Sequence, residues 1–308
     1  MISGQPRHLL IVALLVRSRI ARAKATGVAL AAMMCAAAAP AAAAPIFFDV
    51  GGSNLTSSIQ GTVDAFRTAL GNPNNGNAAG PLSSGRREIN WDGGGDTNTV
   101  SGPTLTAFQN IRGGLFNTPG TGTIQAPPSS ATAGVGLDDF FNNATYGTIF
   151  TTFSSPRDFT PIGSNIIDAT FFIPTGVGGA AGPPATVRGF GAVFTDVDLA
   201  GSTTLQYFDR NGNLLASQSV LPGTVANASL SFAGVVFNAG EEIARVRITS
   251  GNTPLATGVN DGGGIDLVVM DDFLYAEPRA IPAPATLVLL WAGLLGLAAF
   301  FHLRMGKA

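Results

Sequence analysis

The chain has 308 residues, 45% of them hydrophobic and 12% charged, and a formal net charge of −2. All 19 Asp and Glu fall between Asp49 and Glu277; residues 46–278 hold nine Arg and no Lys, His or Cys, which gives that stretch a net charge of −10. Such a surface repels phosphate backbones, so nucleic acid is excluded as a partner, while divalent cations and neutral polymers suit it. The missing side chains exclude disulfides, thiol chemistry, Schiff bases, histidine-based acyl-transfer triads and zinc held by His or Cys.

Residues 1–43 read as a signal peptide. Arg17, Arg19, Arg22 and Lys24 form a basic lead, Val28 to Cys35 an apolar run, and Ala36 to Ala44 a stretch of small residues. Signal peptidase needs small residues before the cut and tolerates proline badly after it. Ala41 and Ala43 therefore mark cleavage after Ala43 rather than after Ala44, which precedes Pro45. Met34 stands where a lipoprotein signal would place a small residue before Cys35.

Residues 44–278 are predicted to form one extracytoplasmic domain, mainly β. Short apolar or alternating runs broken by Gly, Pro, Asn and Ser predict an antiparallel sandwich or barrel. Ile59, Val63, Phe66 and Leu70 recur at helical spacing and predict one short helix within Leu55 to Leu70. The clearest predicted strands are 189–196, 203–208, 214–220, 229–237, 243–249 and 265–275. Asp209-Arg210-Asn211-Gly212 predicts a hairpin turn between two of them. Residues 72–85 and 118–136, rich in Gly, Pro, Asn and Ser, are expected to be long surface loops.

Carboxylates are the chemistry that remains. Asp196, Asp198, Asp271 and Asp272 are expected at strand ends or near loops, where oxygen ligands suit calcium, the one cofactor this composition suggests. Trp91, beside acids in a Gly-rich stretch, is a candidate glycan contact, with a buried core ring as the competing reading. Glu88, Asp92, Asp138 and Asp139 are the acids a carboxylate-dependent glycoside hydrolase would draw on. Asp-Gly-Gly-Gly occurs twice, at Asp92 and Asp261, too briefly to count as a repeat.

The segments Gly85-Arg86-Arg87-Glu88-Ile89-Asn90-Trp91-Asp92-Gly93-Gly94-Gly95 and Val269-Met270-Asp271-Asp272-Phe273-Leu274-Tyr275 resemble those of a group of uncharacterised exported bacterial proteins. That resemblance implies a jelly-roll-like β-sandwich similar to carbohydrate-binding modules, with no known activity attached.

Residues 279–308 read as a sorting tail. Thr286 to Leu303 is apolar except for His302 and is followed by Arg304 and Lys307. As a helix it would reach ~27 Å, enough for a thin bilayer, with its basic end in the cytoplasm. Ile281-Pro282-Ala283-Pro284-Ala285-Thr286-Leu287, an apolar helix with Gly293 and Gly296, and a basic end together resemble the PEP-CTERM sorting signal of Gram-negative bacteria. The resemblance implies recognition by exosortase at Pro282, Ala283 and Pro284 and delivery to the envelope or the exopolysaccharide matrix. Ala283 replaces the motif's central acid, and Glu277-Pro278 offers an acid at longer spacing. Cleavage of the tail and its retention as a transmembrane anchor both fit.

The expectation is thus an exported, non-enzymatic envelope or matrix protein with exosortase, signal peptidase and the membrane as partners and polysaccharide as a candidate ligand. A glycoside hydrolase and a purely structural surface protein are the alternatives.

Overall fold

The computed structural model describes residues 44–281 and Gly293. The signal peptide with Ala41 and Ala43, the motif Pro282-Ala283-Pro284 and the predicted membrane helix, Gly293 apart, lie outside the described residues. Among the described residues no helix is long and apolar enough to cross a membrane.

In chain order the elements are β1 (Ile46–Gly51), α1 (Ser57–Leu70), β2 (Arg86–Ile89), a 3-10 turn (Asp92–Gly94), β3 (Thr99–Ser101), β4 (Thr104–Leu105), β5 (Gly114–Asn117) and β6 (Gly122–Ala126). Then come α2 (Leu137–Phe140), α3 (Tyr146–Ile149), β7 (Asp158–Ile162), β8 (Ile166–Phe172), β9 (Pro184–Thr186), β10 (Gly189–Thr195), β11 (Thr204–Phe208) and β12 (Leu214–Ser219). The last are β13 (Leu230–Val236), β14 (Arg245–Thr249), β15 (Val269–Ala276) and β16 (Arg279–Ala280).

The strands form two antiparallel sheets. One runs β1-β13-β10-β15-β7-β6-β3, with β2 also on β15; the other runs β12-β11-β14-β8-β5-β4, with β9 on β8 and β16 on β9. The sheets face each other across one core, where Phe190 and Tyr275 of the first meet Phe171 of the second at ring-centroid distances of 6.1 and 5.4 Å. Strands β8, β11 and β14 alternate buried with half-buried residues, as expected of a sheet with one face in water. Strands β10, β13 and β15 are buried throughout. Apart from Asp271 and Asp272 of β15, they carry apolar or small residues at successive positions because the first sheet is covered on both faces.

Part of the second cover is α1. Its four predicted apolar residues are all buried, each worth about 1.5–3 kcal/mol for a side chain of that size. The Phe66 ring lies over Gly191 and Gly234, where a Cβ would come within 2.8 and 2.9 Å of it. These glycines are a dent that admits the helix. The rest of that face is closed by α2 and α3, where Leu137, Phe141, Tyr146 and Ile149 pack with Ile124, Ala126 and Val269. Segment 118–136 is therefore not a surface loop as expected: it contains β6, buried at every position between β3 and β7.

One further expectation, the hairpin between β11 and β12, is met, and two are corrected. The last long strand begins at Val269 rather than Ile265, because residues 265–268 are drawn into the loop around Asp266. In the hairpin between β11 and β12 only Gly212 takes a positive φ (82°); Asp209 shapes the turn by accepting the N–H groups of Asn211 and Asn213 at 2.8 Å each. Residues 279–280, assigned to the tail, belong to the second sheet through pairing of Arg279 with Thr186 and Ala280 with Ala185.

Candidate metal centre

Strand β10 delivers Thr195 in regular pairing, and the next residue, Asp196, turns out of the sheet with φ 67°. Asp accepts that left-handed conformation more readily than most residues. The turn buries its carboxylate completely. Oδ1 accepts the Ala228 N–H at 3.0 Å, and Oδ2 has no hydrogen-bond partner.

Two further carboxylates face it. Asp198 follows in the same loop, and Asp261 arrives from the β14–β15 connection; one oxygen from each of the three lies within 4.8 Å of the others. Asp261 is held by the Leu267 N–H, which donates to its Oδ1 at 2.9 Å. The chain then reverses through Gly262, Gly263 and Gly264 at φ of 93°, 62° and 95°, a run that only glycine takes without strain.

Asp266, also buried, is the scaffold rather than a fourth ligand. It accepts the N–H groups of Asp198 at 3.1 Å and Leu199 at 3.2 Å and the Ser202 hydroxyl. Its own N–H donates to Asn252 Oδ1 at 2.9 Å, fixing one loop against the other.

The charges acting on Asp196 are all negative. Burial foremost, then Asp198 and Asp261, push its pKa up to about 8 against the pull of the Ala228 N–H. Burial followed by Asp261 and Asp266 pushes Asp198 up to about 6. An ionised carboxylate kept from water with one oxygen bare costs several kcal/mol, and either a proton or a cation relieves it. Oxygens that bind one Ca²⁺ at about 2.4 Å lie within about 4.8 Å of one another, the spacing found here. The donor set is oxygen only, which fits a hard dication, and Ca²⁺ tolerates the irregular geometry of two loops better than Mg²⁺. Bound there, the ion would tie the β10–β11 connection to the β14–β15 connection.

Asp196 and Asp198 thus come together, joined by Asp261, which the sequence reading missed. Asp271 and Asp272 do not join them. They sit inside β15 at a β-bulge, two residues opposite Val193, not at a strand end. Asp271 accepts the N–H groups of Phe153 at 2.5 Å and Ser154 at 3.0 Å; Asp272 accepts the Ser154 hydroxyl at 2.6 Å and lies 3.4 Å from Arg67 Nη2. Their oxygens are engaged in holding the 153–154 segment and α1.

Trp91 offers no face to a sugar, because its ring is 1% exposed. It stacks on Phe159 at 4.0 Å and 7°, meets Phe108, Phe116 and Phe273 edge-on, and donates from Nε1 to Asp271 O at 3.0 Å. That carbonyl is available because β2 and β7 pair with β15 on either side of the bulge.

Of the acids considered for hydrolysis, Glu88 is paired with Arg67 at 3.0 Å and Arg86 at 2.5 Å, while Asp138 and Asp139 lie within α2 and accept the N–H groups of Asp139 and Gly134 respectively. Glu88 and Asp272 line a polar cleft of about 310 Å³ with Arg67, Asn90, Arg112 and Ser154. Comparison with protein-family models, with curated proteins and with solved structures finds no match to this chain.

Proposed function

We propose that this chain is an exported, non-enzymatic protein of the cell envelope or exopolysaccharide matrix, whose jelly-roll-like sandwich is braced by a divalent cation, Ca²⁺, and presents a polar surface to glycan or another envelope component. The observation that carries the reading is the buried, half-unpartnered Asp196 carboxylate facing Asp198 and Asp261. Sites of this kind in extracellular modules bind Ca²⁺ at about 10⁻⁴–10⁻³ M, so they fill outside the cytoplasm and not within it.

The sequence supports the address: a signal peptide cut after Ala43, a PEP-CTERM-like tail recognised by exosortase at Pro282, Ala283 and Pro284, and a membrane helix over 286–303. Lack of His, Cys and Lys in the domain supports a binder or scaffold over an enzyme. The cleft lined by Glu88, Asp272 and Arg67 is the place proposed for a polysaccharide hydroxyl array, since the volume is at the small end of ligand sites and its donors and acceptors are mixed.

The test has two arms. Cell fractionation should recover the chain from the envelope, and the purified protein should bind polysaccharide without shortening it. Cleavage that disappears when Glu88→Gln or Asp92→Asn is introduced would replace this reading with a hydrolase.

A further inference from the structure

The twin Asp-Gly-Gly-Gly stretches are used in the same way at two places. One brings Asp261 to the buried, unpartnered Asp196. The other brings Asp92 to the start of β7. Trp91 takes φ 63° ahead of it, a left-handed conformation that bulky residues rarely adopt. The Asp92 carboxylate then accepts the Arg157 N–H at 3.0 Å through Oδ1 and the Asn90 side chain at 2.9 Å through Oδ2.

The residue after Arg157 is Asp158. It is wholly buried, and neither of its carboxylate oxygens has a hydrogen-bond partner. Its charged neighbours include Asp92 and the equally buried Asp271. Arg157 does not neutralise it, since its guanidinium donates to Thr99 Oγ1 at 3.0 Å, to the Trp91 carbonyl and to Gln125 Oε1 at 3.4 Å. Asp271 has its oxygens taken by Phe153 and Ser154, so it stands behind the pair as a source of negative charge.

We propose that Asp158 and Asp92 form a second site for a hard divalent cation, distinct from the Asp196 centre, with Asp158 supplying both unpartnered oxygens and Asp92 its remaining lone pairs. Asp158, Asp92 and the Asp271 behind them gather three carboxylates, of which Asp92 alone feels an arginine charge, that of Arg157; that excess of negative charge attracts a dication, and the oxygen-only donor set selects Ca²⁺ by the chemistry that governs the first site. The ion would fasten the 3-10 turn after Trp91 to β7.

Ca²⁺ bound per chain, counted by equilibrium dialysis on the purified protein, tests this. The native protein should hold two ions. Asp158→Asn and, separately, Asp92→Asn should each hold one, as should Asp261→Asn; Asp92→Asn with Asp261→Asn should hold none. Asp92 is half-exposed in a turn, so its variant decides the matter even where Asp158→Asn fails to fold. A single native ion, lost in Asp261→Asn and kept in Asp92→Asn, would overturn this site, leave Asp158 as a protonated acid and preserve the first site. A single ion lost only in Asp92→Asn would uphold this site and overturn the first.

Discussion

Arg87 and Glu277 form a two-pronged ion pair sealed from solvent, Nε to Oε2 and Nη2 to Oε1, both at 2.7 Å. Around it the 72–85 segment is gathered: Arg87 Nη1 donates to the carbonyls of Gly76 and Ala78, and Glu277 accepts from Asn75 and the Leu82 N–H. Breaking a buried pair leaves a naked charge, so Arg87→Met should destabilise the domain by about 3–5 kcal/mol in urea unfolding. The 72–85 segment should become sensitive to limited proteolysis. Glu277 is thereby committed to the fold.

Trp91 is the hub of an aromatic cluster, and Trp91→Ala should cost about 3–5 kcal/mol, read as a lower urea midpoint. Trp91→Phe should leave polysaccharide binding unchanged, because the indole is buried. Loss of binding without loss of stability would contradict that placement.

Gly234→Ala should test the docking of α1. The added methyl would press on the Phe66 ring and on Gly191, and overpacking of this kind costs about 1–3 kcal/mol. Pairing it with Phe66→Leu should recover part of that loss, measurable as a double-mutant coupling.

Asp168 supplies a pH dependence. Partial burial tends to raise its pKa, but hydrogen bonds and charge from Arg247 and Arg245 outweigh this and hold it below the usual carboxylate value. A depressed folded-state pKa adds stability that is fully present above about pH 4 and is lost as pH falls through the lower, folded value. The stability gap between the native protein and Asp168→Asn should therefore be flat from neutral pH down to about pH 5 and shrink below about pH 4. With both arginines partly in water the gap should be about 1 kcal/mol or less.

The strands from β10 to β14 were legible in sequence to within about two residues, since each is a short apolar or alternating run closed by Gly, Asn or Asp, and α1 was legible from four apolar residues at helical spacing. What was not legible depended on distant partners. β6 is a small-residue strand hidden by its Pro- and Gly-rich flanks, and it is buried because α2 and α3 lie over it. The bulge that places Asp271 and Asp272 inside β15 arises from pairing with β10. Asp261 had one signal, the three glycines after it, but its neighbours Asp196 and Asp198 lie far back along the chain. Asp158 follows an arginine and reads as half of a solvated pair; only the direction in which Arg157 points leaves it bare.

The account turns on the Asp196, Asp198 and Asp261 centre, and thermal unfolding of the purified protein in about 10–100 mM Ca²⁺ and in chelator addresses it most directly. At an ion concentration about 100 times the dissociation constant, one site adds about 2.7 kcal/mol, which raises the midpoint of a domain this size by roughly 5–10 °C. The account predicts a rise of at least that size for the native protein and a smaller one for Asp261→Asn. An unchanged native midpoint, or an equal rise in the variant, would contradict it.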